Sequence, residues 1–354
     1  MGKVLMETET SLFGNTKNGE PVYSHTLRNR NGMSVSILNY GGIIVSCMVP
    51  DANGRLRDVV LGYSDIAPYE ENPMHFGALI GRYANRIAKG RLEVNGKIYT
   101  LACNDGANHL HGGLKGFEHR LWEASSEVDG LILRYESADG EEHYPGMLRA
   151  VVTYRLTDEN ILQIDYHAES DRDTVCNLTN HSYFNLNGHQ SGDILSHTLT
   201  LDADYYTPSN DESIPLGNKA PVAGTPMDFH LPQTIGARIN DDFVQLRQAG
   251  GYDHNYIVRE YDGSLRKFAS ISGEESGISM EMYTTLPGVQ FYSGNYIPDG
   301  TVGKDGIRYV RRAGFCLESQ YFPNLLTLSG YPSPYLKKGN PYRQTTLFRF
   351  GIRR

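Results

Sequence analysis

The chain has 354 residues, 39% hydrophobic and 21% charged, with a formal net charge of −8. That balance suits an ordinary soluble globular protein, and an acidic chain without a basic run argues against nucleic acid, an anionic membrane or a strongly anionic substrate as partner. No stretch approaches the roughly 18 apolar residues of a membrane span, MGKVLMETETSLFG lacks the pattern of an export signal, and Cys47, Cys103, Cys176 and Cys316 show no CxxC spacing, so a cytoplasmic protein with reduced thiols is expected.

Residues 1–33 read as a polar leading arm with one strand near Val22 to Leu27. Ser34 to Leu38 alternates and ends at Tyr40-Gly41-Gly42, and Ile43 to Val49 runs into the turn Pro50 to Gly54. Residues 62–90 look like loop. Leu92-Glu93-Val94, Asn95-Gly96 and Lys97 to Leu101 give the sharpest hairpin signal, because Asn-Gly suits a type I′ turn. Trp122 to Val128 is expected to pair with Leu131 to Ser137 across Asp129-Gly130, and Met147 to Leu156 with Ile161 to Ala168. His197 to Tyr205 reads as a strand. Only Ala237 to Gln248 has helical spacing, through Ile239, Phe243 and Leu246. Further strands are expected at Asn255 to Val258, Lys267 to Ser272, Ile278 to Thr285, Gly288 to Ser293, Gly314 to Ser319 and Thr345 to Ile352. Many short strands with one weak helix and no linker predict a single all-β domain over 1–354, a large antiparallel β-sandwich.

The stretch Asn177 to Asn185, NLTNHSYFN, stands out. If extended, it sets Asn177, Thr179, His181, Tyr183 and Asn185 on one face. Such a face suits either solvent or a polyhydroxylated ligand with one ring to lie against. In Gly314 to Gln320, Cys316, Glu318 and Gln320 share a face; Glu318 is either a surface ion-pair partner or a desolvated carboxylate with base character. His109-Leu-His111-Gly-Gly113 offers two imidazoles, but the nearest glutamate, Glu118, is too far along for a cupin-like metal site. One of the two is better read as a ligand hydrogen-bonder. Arg82, Asn85 and Arg86 in GRYANRI are structural or ligand-binding, Asp253 in GGYDHNY forms a turn or accepts from a ligand, and Gln290 shares a face with Tyr292.

Taken together, GRYANRI, LHGGLKGF, NLTNHSYFNL, GGYDHNY, TTLPGVQFYSGN and GFCLESQ, in this order, resemble the aldose 1-epimerase (galactose mutarotase) family over roughly residues 20–350. The resemblance implies the galactose-mutarotase type of β-sandwich and exchange of α and β anomers of a free aldose, without cofactor or metal, by a monomer or weak homodimer. It implies Glu318 as general base, His181 as general acid and His111 as a second histidine near the ring oxygen. Asn85, Arg86, Tyr183, Asp253 and Gln290 match sugar-contacting positions. Tyr83 departs from the small apolar residue usual there. The chemistry agrees, since ring opening removes a proton from the C1 hydroxyl and delivers one to the ring oxygen. Glu318 and His181 are then expected on opposite sides of that region, with near-neutral pKa values, Glu318 setting the acid limb of a bell-shaped pH profile and His181 the alkaline limb. A sugar-binding module would not need both groups, and a glycoside hydrolase would want two carboxylates flanking the bond.

Overall fold

The computed structural model describes residues 7–127 and 130–353. The first six residues, Val128 at the end of an expected strand, Asp129 of the expected turn and Arg354 lie outside them. Three antiparallel sheets dominate. An N-terminal sheet runs in order through Glu7–Asn15, Pro21–Arg28, Ser34–Leu38, Ile44–Pro50 and Leu56–Asp58. A nine-stranded sheet takes Glu123–Glu127, Gly130–Ser137, Leu148–Leu156, Ile161–Ser170, Tyr342–Ile352, Ile278–Thr284, Arg266–Ser272, Thr198–Leu201 and Gln233–Thr234 in spatial order. A five-stranded sheet orders Ala220–Pro221, Tyr205–Tyr206, Asp253–Ile257, Gly288–Tyr292 and Cys316–Gln320.

Strict alternation makes the large sheet. Leu148, Ala150, Val152, Tyr154 and Leu156 all point inward, opposite Leu162, Ile164, Tyr166 and Ala168 of the next strand. Phe348 and Phe350 on the neighbouring long strand, with Met280 and Met282 beyond, continue the same apolar layer. Each Leu, Ile, Val, Phe or Met side chain of this layer contributes about 1.5–3 kcal/mol when fully buried. A one-residue slip would turn the whole set to solvent, so the register is firmly fixed. Leu92 and Val94 likewise turn inward in the hairpin Arg91–Val94 and Lys97–Thr100. Asn95 and Gly96 close it with φ of +52° and +75°, the left-handed pair that a type I′ turn requires.

Three local expectations change. The expected helix over 237–248 is a 3-10 turn at Ile235–Ala237 and a six-residue helix, Val244–Ala249, stopped by Gly250 at φ +64°. The run Asn240-Asp241-Asp242 turns between them, with Asp241 N–H donating to Arg238 O. A short helix, Ile66–Glu71, occupies the stretch read as loop; Asp65 caps it by accepting from Ala67 N–H. Glu7–Asn15 is an edge strand pairing with Pro21–Arg28. Its middle residues are largely exposed, so it carries no inward apolar row to betray it.

Candidate active site

The five-stranded sheet carries half of the site on one face. Its register sets Asp253 beside Tyr292 and Cys316, and Asn255 beside Gln290 and Glu318. Residues two apart on each strand share that face, so Asp253, Gln290, Tyr292, Glu318 and Gln320 are neighbours although 67 residues separate Asp253 from Gln320 in sequence. An amide chain fixes them. Asn85 Nδ2 donates to Gln320 Oε1 (3.3 Å), Gln320 Nε2 to Gln290 Oε1 (3.1 Å), and Gln290 Nε2 to Asp253 Oδ1 (2.7 Å).

The other half comes from loops. Arg82 is the stitching residue of GRYANRI: buried, it donates to the carbonyls of Ser137, Ala138, Pro145 and Gly146. Tyr83 donates to Phe322 O, away from the site. Asn85, at φ +67°, then swings the chain so that Arg86 reaches the cavity, with Nε 2.7 Å from Asp105 Oδ2. The two imidazoles of LHGG part company. His109 is sealed between Ala102 O and the Tyr144 hydroxyl, whereas His111, at φ +50°, faces the cavity. Gly112 is forced by contact, since a Cβ there would lie 1.9 Å from Gly81 O.

NLTNHSYFN is not one long strand. Thr179–His181 forms a short strand with Ala78–Ile80, Asn177 and Phe184 make isolated bridges to Tyr83 and to Val60 and Phe315, and both faces of the stretch are buried, which rules out the solvated-face reading. Its amides serve backbone: Asn177 donates to Ala84 O and accepts from Tyr321 N–H, Asn180 donates to Gly77 O, and Asn185 to Ala313 O. His181 and Tyr183 alone reach the cavity, their rings stacked at 5.0 Å and 30°.

Asn85, Arg86, His111, His181, Tyr183, Asp253, Gln290 and Glu318 all line one cavity of about 190 Å³. That is below the ~300–1,000 Å³ of drug-sized pockets and fits one small polar molecule rather than a polymer. His181 Nε2 lies 3.6 Å from Glu318 Oε1. The two tips therefore stand side by side, not on opposite sides of a ligand. This spacing matches chemistry at two oxygens on one carbon. Glu318 Oε2 is buried with no hydrogen-bond partner among the described residues, an acceptor waiting for a ligand hydroxyl.

Burial sets the protonation. It pushes Glu318 well above the usual carboxylate range, reinforced by Asp253 and opposed by Arg86. It pushes His181 down to about 3, with His75 adding to the effect. His111 falls well below its ordinary value for the same reason, with His75 and His181 next in weight. Near-neutral values for both partners are thus not what the empty site has. Burial therefore favours a proton on Glu318 over one on His181.

His111, His181 and Glu318 bring potential metal-ligating atoms within 4.8 Å of one another. The hydrogen bonding of His111 favours a different use. Asn85 N–H donates to His111 Nδ1 at 3.2 Å, so Nε2 keeps the proton and is a donor with no free lone pair.

Sequence reasoning missed His75, Asp105 and Tyr296 as cavity residues, and set Tyr292 on the face of Gln290 without giving it a role. His75 sits in a left-handed turn at φ +55°, outside any motif. Tyr296, half exposed, stacks beside Tyr292 with ring centres 6.1 Å apart and lines the cavity with it. Gln320 shares the Glu318 face and holds the amides in line.

Comparison with known proteins gives one consistent result. Residues 23–349 match the family described as aldose 1-epimerase. The chain is 41% identical over 345 residues to the human protein named galactose mutarotase, covering 97% of this chain and 98% of that one. It is 36% identical to the Escherichia coli protein named aldose 1-epimerase, covering 94% and 96%. Among solved structures, one described as galactose 1-epimerase from Lactobacillus acidophilus superposes with a TM-score of 0.85 at 28% identity, covering 99% of this chain and 100% of that one. An aldose epimerase homologue from C. elegans gives 0.83 at 27%, covering 94% and 100%.

Proposed function

The chain belongs to the aldose 1-epimerase family, and from that premise we propose that Glu318 and His181 carry the proton transfers of anomer exchange, with the whole chain acting as one domain. It is a mutarotase, an isomerase that interconverts the α and β anomers of free aldoses such as galactose and glucose. The observation that carries the residue assignment is the 3.6 Å approach of His181 Nε2 to Glu318 Oε1 beside an unpartnered carboxylate oxygen.

The C1 hydroxyl donates to Glu318, whose free oxygen gains the partner it lacks. A carboxylate so hydrogen-bonded holds its proton less tightly, and the shared proton passes to His181. Glu318 then takes the C1 hydroxyl proton while His181 protonates the ring oxygen. The C1–O5 bond breaks and the open aldehyde forms. Rotation about C1–C2 presents the other carbonyl face. Ring closure returns both protons, so the pair ends as it began. His111, a donor at Nε2, stabilises charge on the ring oxygen. Asp253, Gln290, Asn85 and Arg86 hold the remaining hydroxyls, and Tyr183 lies against a ring face. Polarimetry of freshly dissolved α-D-glucose and α-D-galactose, with and without protein, tests the reading; unchanged decay curves would refute it.

Two further outcomes follow from these roles. Arg86→Ala and Asp253→Ala each remove a charged hydrogen-bonding group worth ~1.5–3 kcal/mol. KM should rise ~10–100-fold, with kcat retained in part; loss of kcat at unchanged affinity in Asp253→Ala would make Asp253 an acid or base. Exhaustive chelation should leave mutarotation unchanged, because His111 is set as a proton donor; activity restored by one divalent ion would contradict this. Cytoplasmic placement agrees with four unpaired cysteines, three of them buried. Among the described residues no helix is long and apolar enough to cross a membrane. Sedimentation velocity would separate monomer from weak homodimer.

A further inference from the structure

His75 is the imidazole in the cavity that the acid/base steps leave unused. Its ring stands edge-on to His111 at 4.9 Å and lies 5.7 Å from that of His181. Behind it, Nδ1 is 3.0 Å from Glu118 Oε1. Glu118 is 1% exposed, and its second oxygen has no hydrogen-bond partner among the described residues. Its ion-pair contacts among those residues are His75 at 3.0 Å and His119 at 3.8 Å, with no lysine or arginine. Arg120, the nearest in sequence, pairs with Glu141. A buried carboxylate without a cation is strongly unfavourable. The hydrogen bond from an imidazole can supply the charge in place of a proton on the carboxyl itself, and His75 is the closer imidazole.

We propose that His75 and Glu118 form a charge-setting pair for the catalytic imidazoles: Glu118 accepts from a doubly protonated His75, whose ring presents positive charge to His181 and His111. The pair rests on the acid/base reading of the site given above. His75 is a positioning residue in this role, acting through His181. A cation at that distance opposes a further proton on either neighbour, which leaves the single mobile proton on the His181–Glu318 pair. Ring opening needs that inventory: with two protons on the pair there is no base, and with none there is no acid. The groups facing His181 are His75, His111, Glu318, Cys316, Tyr183 and Tyr292. Those facing His75 are Glu118, His111 and His181, with His119 beyond Glu118. Arg86, the permanent cation of the cavity, acts on His111 and Glu318 and is kept in every variant, so under the proposal removal of His75 has a definite sign at His181.

His75→Gln deletes the charge. Glu118→Gln deletes the anion that holds the charge there. Both should raise the proton affinity of His181 and move the acid limb of kcat/KM up by about 0.5–1 pH unit, and the double variant should move it no further. A side chain that merely packs would alter KM or melting temperature and leave the limb in place. Histidine Cε1–H NMR titration, with the His181 signal identified by its loss in His181→Asn, reads the same shift without catalysis. An unmoved His181 titration in His75→Gln overturns the charge-setting pair, as does a downward shift in Glu118→Gln, the mark of a bare carboxylate. A His181 titration that moves while the acid limb stays put upholds the pair and instead overturns the assignment of His181 to the proton step. Glu118 is buried and its variant risks misfolding; His75, partly exposed, carries the test by itself.

Discussion

Glu318→Gln should lower kcat by ~10²–10⁴ while leaving KM for galactose nearly unchanged. The amide keeps the shape of the carboxyl group and one oxygen acceptor but cannot take the C1 proton. The five sugar-holding groups stand on other segments and are untouched. The alkaline limb of the pH profile should vanish with it. In the wild type that limb is loss of the shared proton, held on the group that burial pushes well above the usual carboxylate range. The acid limb is uptake of a second proton by His181, which burial pushes down to about 3 in the empty site. This reverses the order expected from isolated side chains. The limbs belong to the coupled pair rather than to either residue alone, yet removing one member still removes one of them. Stability should move the opposite way. A carboxyl whose folded pKa lies above its unfolded value binds an extra proton in the native state. Its contribution is present at low pH and is lost as pH rises from the unfolded value through the folded one. Glu318→Gln escapes that loss, so its melting temperature at neutral pH should equal or exceed that of the wild type. Near wild-type mutarotation in polarimetry would refute the base assignment.

The sequence made most of this site legible because its residues lie on strands with clean alternation or beside glycines that mark turns. Glu318 and Gln320 share a face by period two, as do Gln290 and Tyr292, and the sheet register turns those faces into one surface. The large sheet was legible for the same reason, through rows such as Leu148 to Leu156. What escaped depends on long-range contact. His75 enters the cavity only because a left-handed turn aims it there and Glu118, 43 positions on, holds it. The asparagines of NLTNHSYFN look like ligand groups by composition. They bond to backbone carbonyls of three separate segments, which no local pattern reveals. The protonation of the pair escaped too. A carboxylate flanked by Leu317 and Ser319 reads as partly desolvated. The completeness of its burial, and the lack among the described residues of a lysine or arginine paired with it, are properties of the assembled site.

His181→Asn should cost a similar ~10²–10⁴ in kcat, and combined with Glu318→Gln it should cost far less than the product of the two losses. The reason is geometric. Nε2 and Oε1 stand 3.6 Å apart, and in the proposed mechanism they pass one proton between them, so they serve one event, the opening of one C–O bond. Once the base is gone, an acid at the ring oxygen has no developing charge to neutralise. Once the acid is gone, the base pulls on a hydroxyl whose leaving oxygen stays unprotonated. Either single variant therefore already loses most of the concerted advantage, and the second change finds little left to remove. Asn keeps a donor where the imidazole stood, so a purely binding role would survive the substitution and KM would barely change. Cys316 Sγ lies 3.5 Å from Nδ1 on the far side of the ring. It is buried, with its thiol pushed well above the ordinary range by burial and by Glu318, so it cannot take over as acid or base at neutral pH. Single-turnover and steady-state rates of all four proteins, measured at one pH on the plateau, complete the cycle. Strictly multiplicative losses would mean that His181 and Glu318 act in separate steps, and the shared-proton mechanism would have to be abandoned.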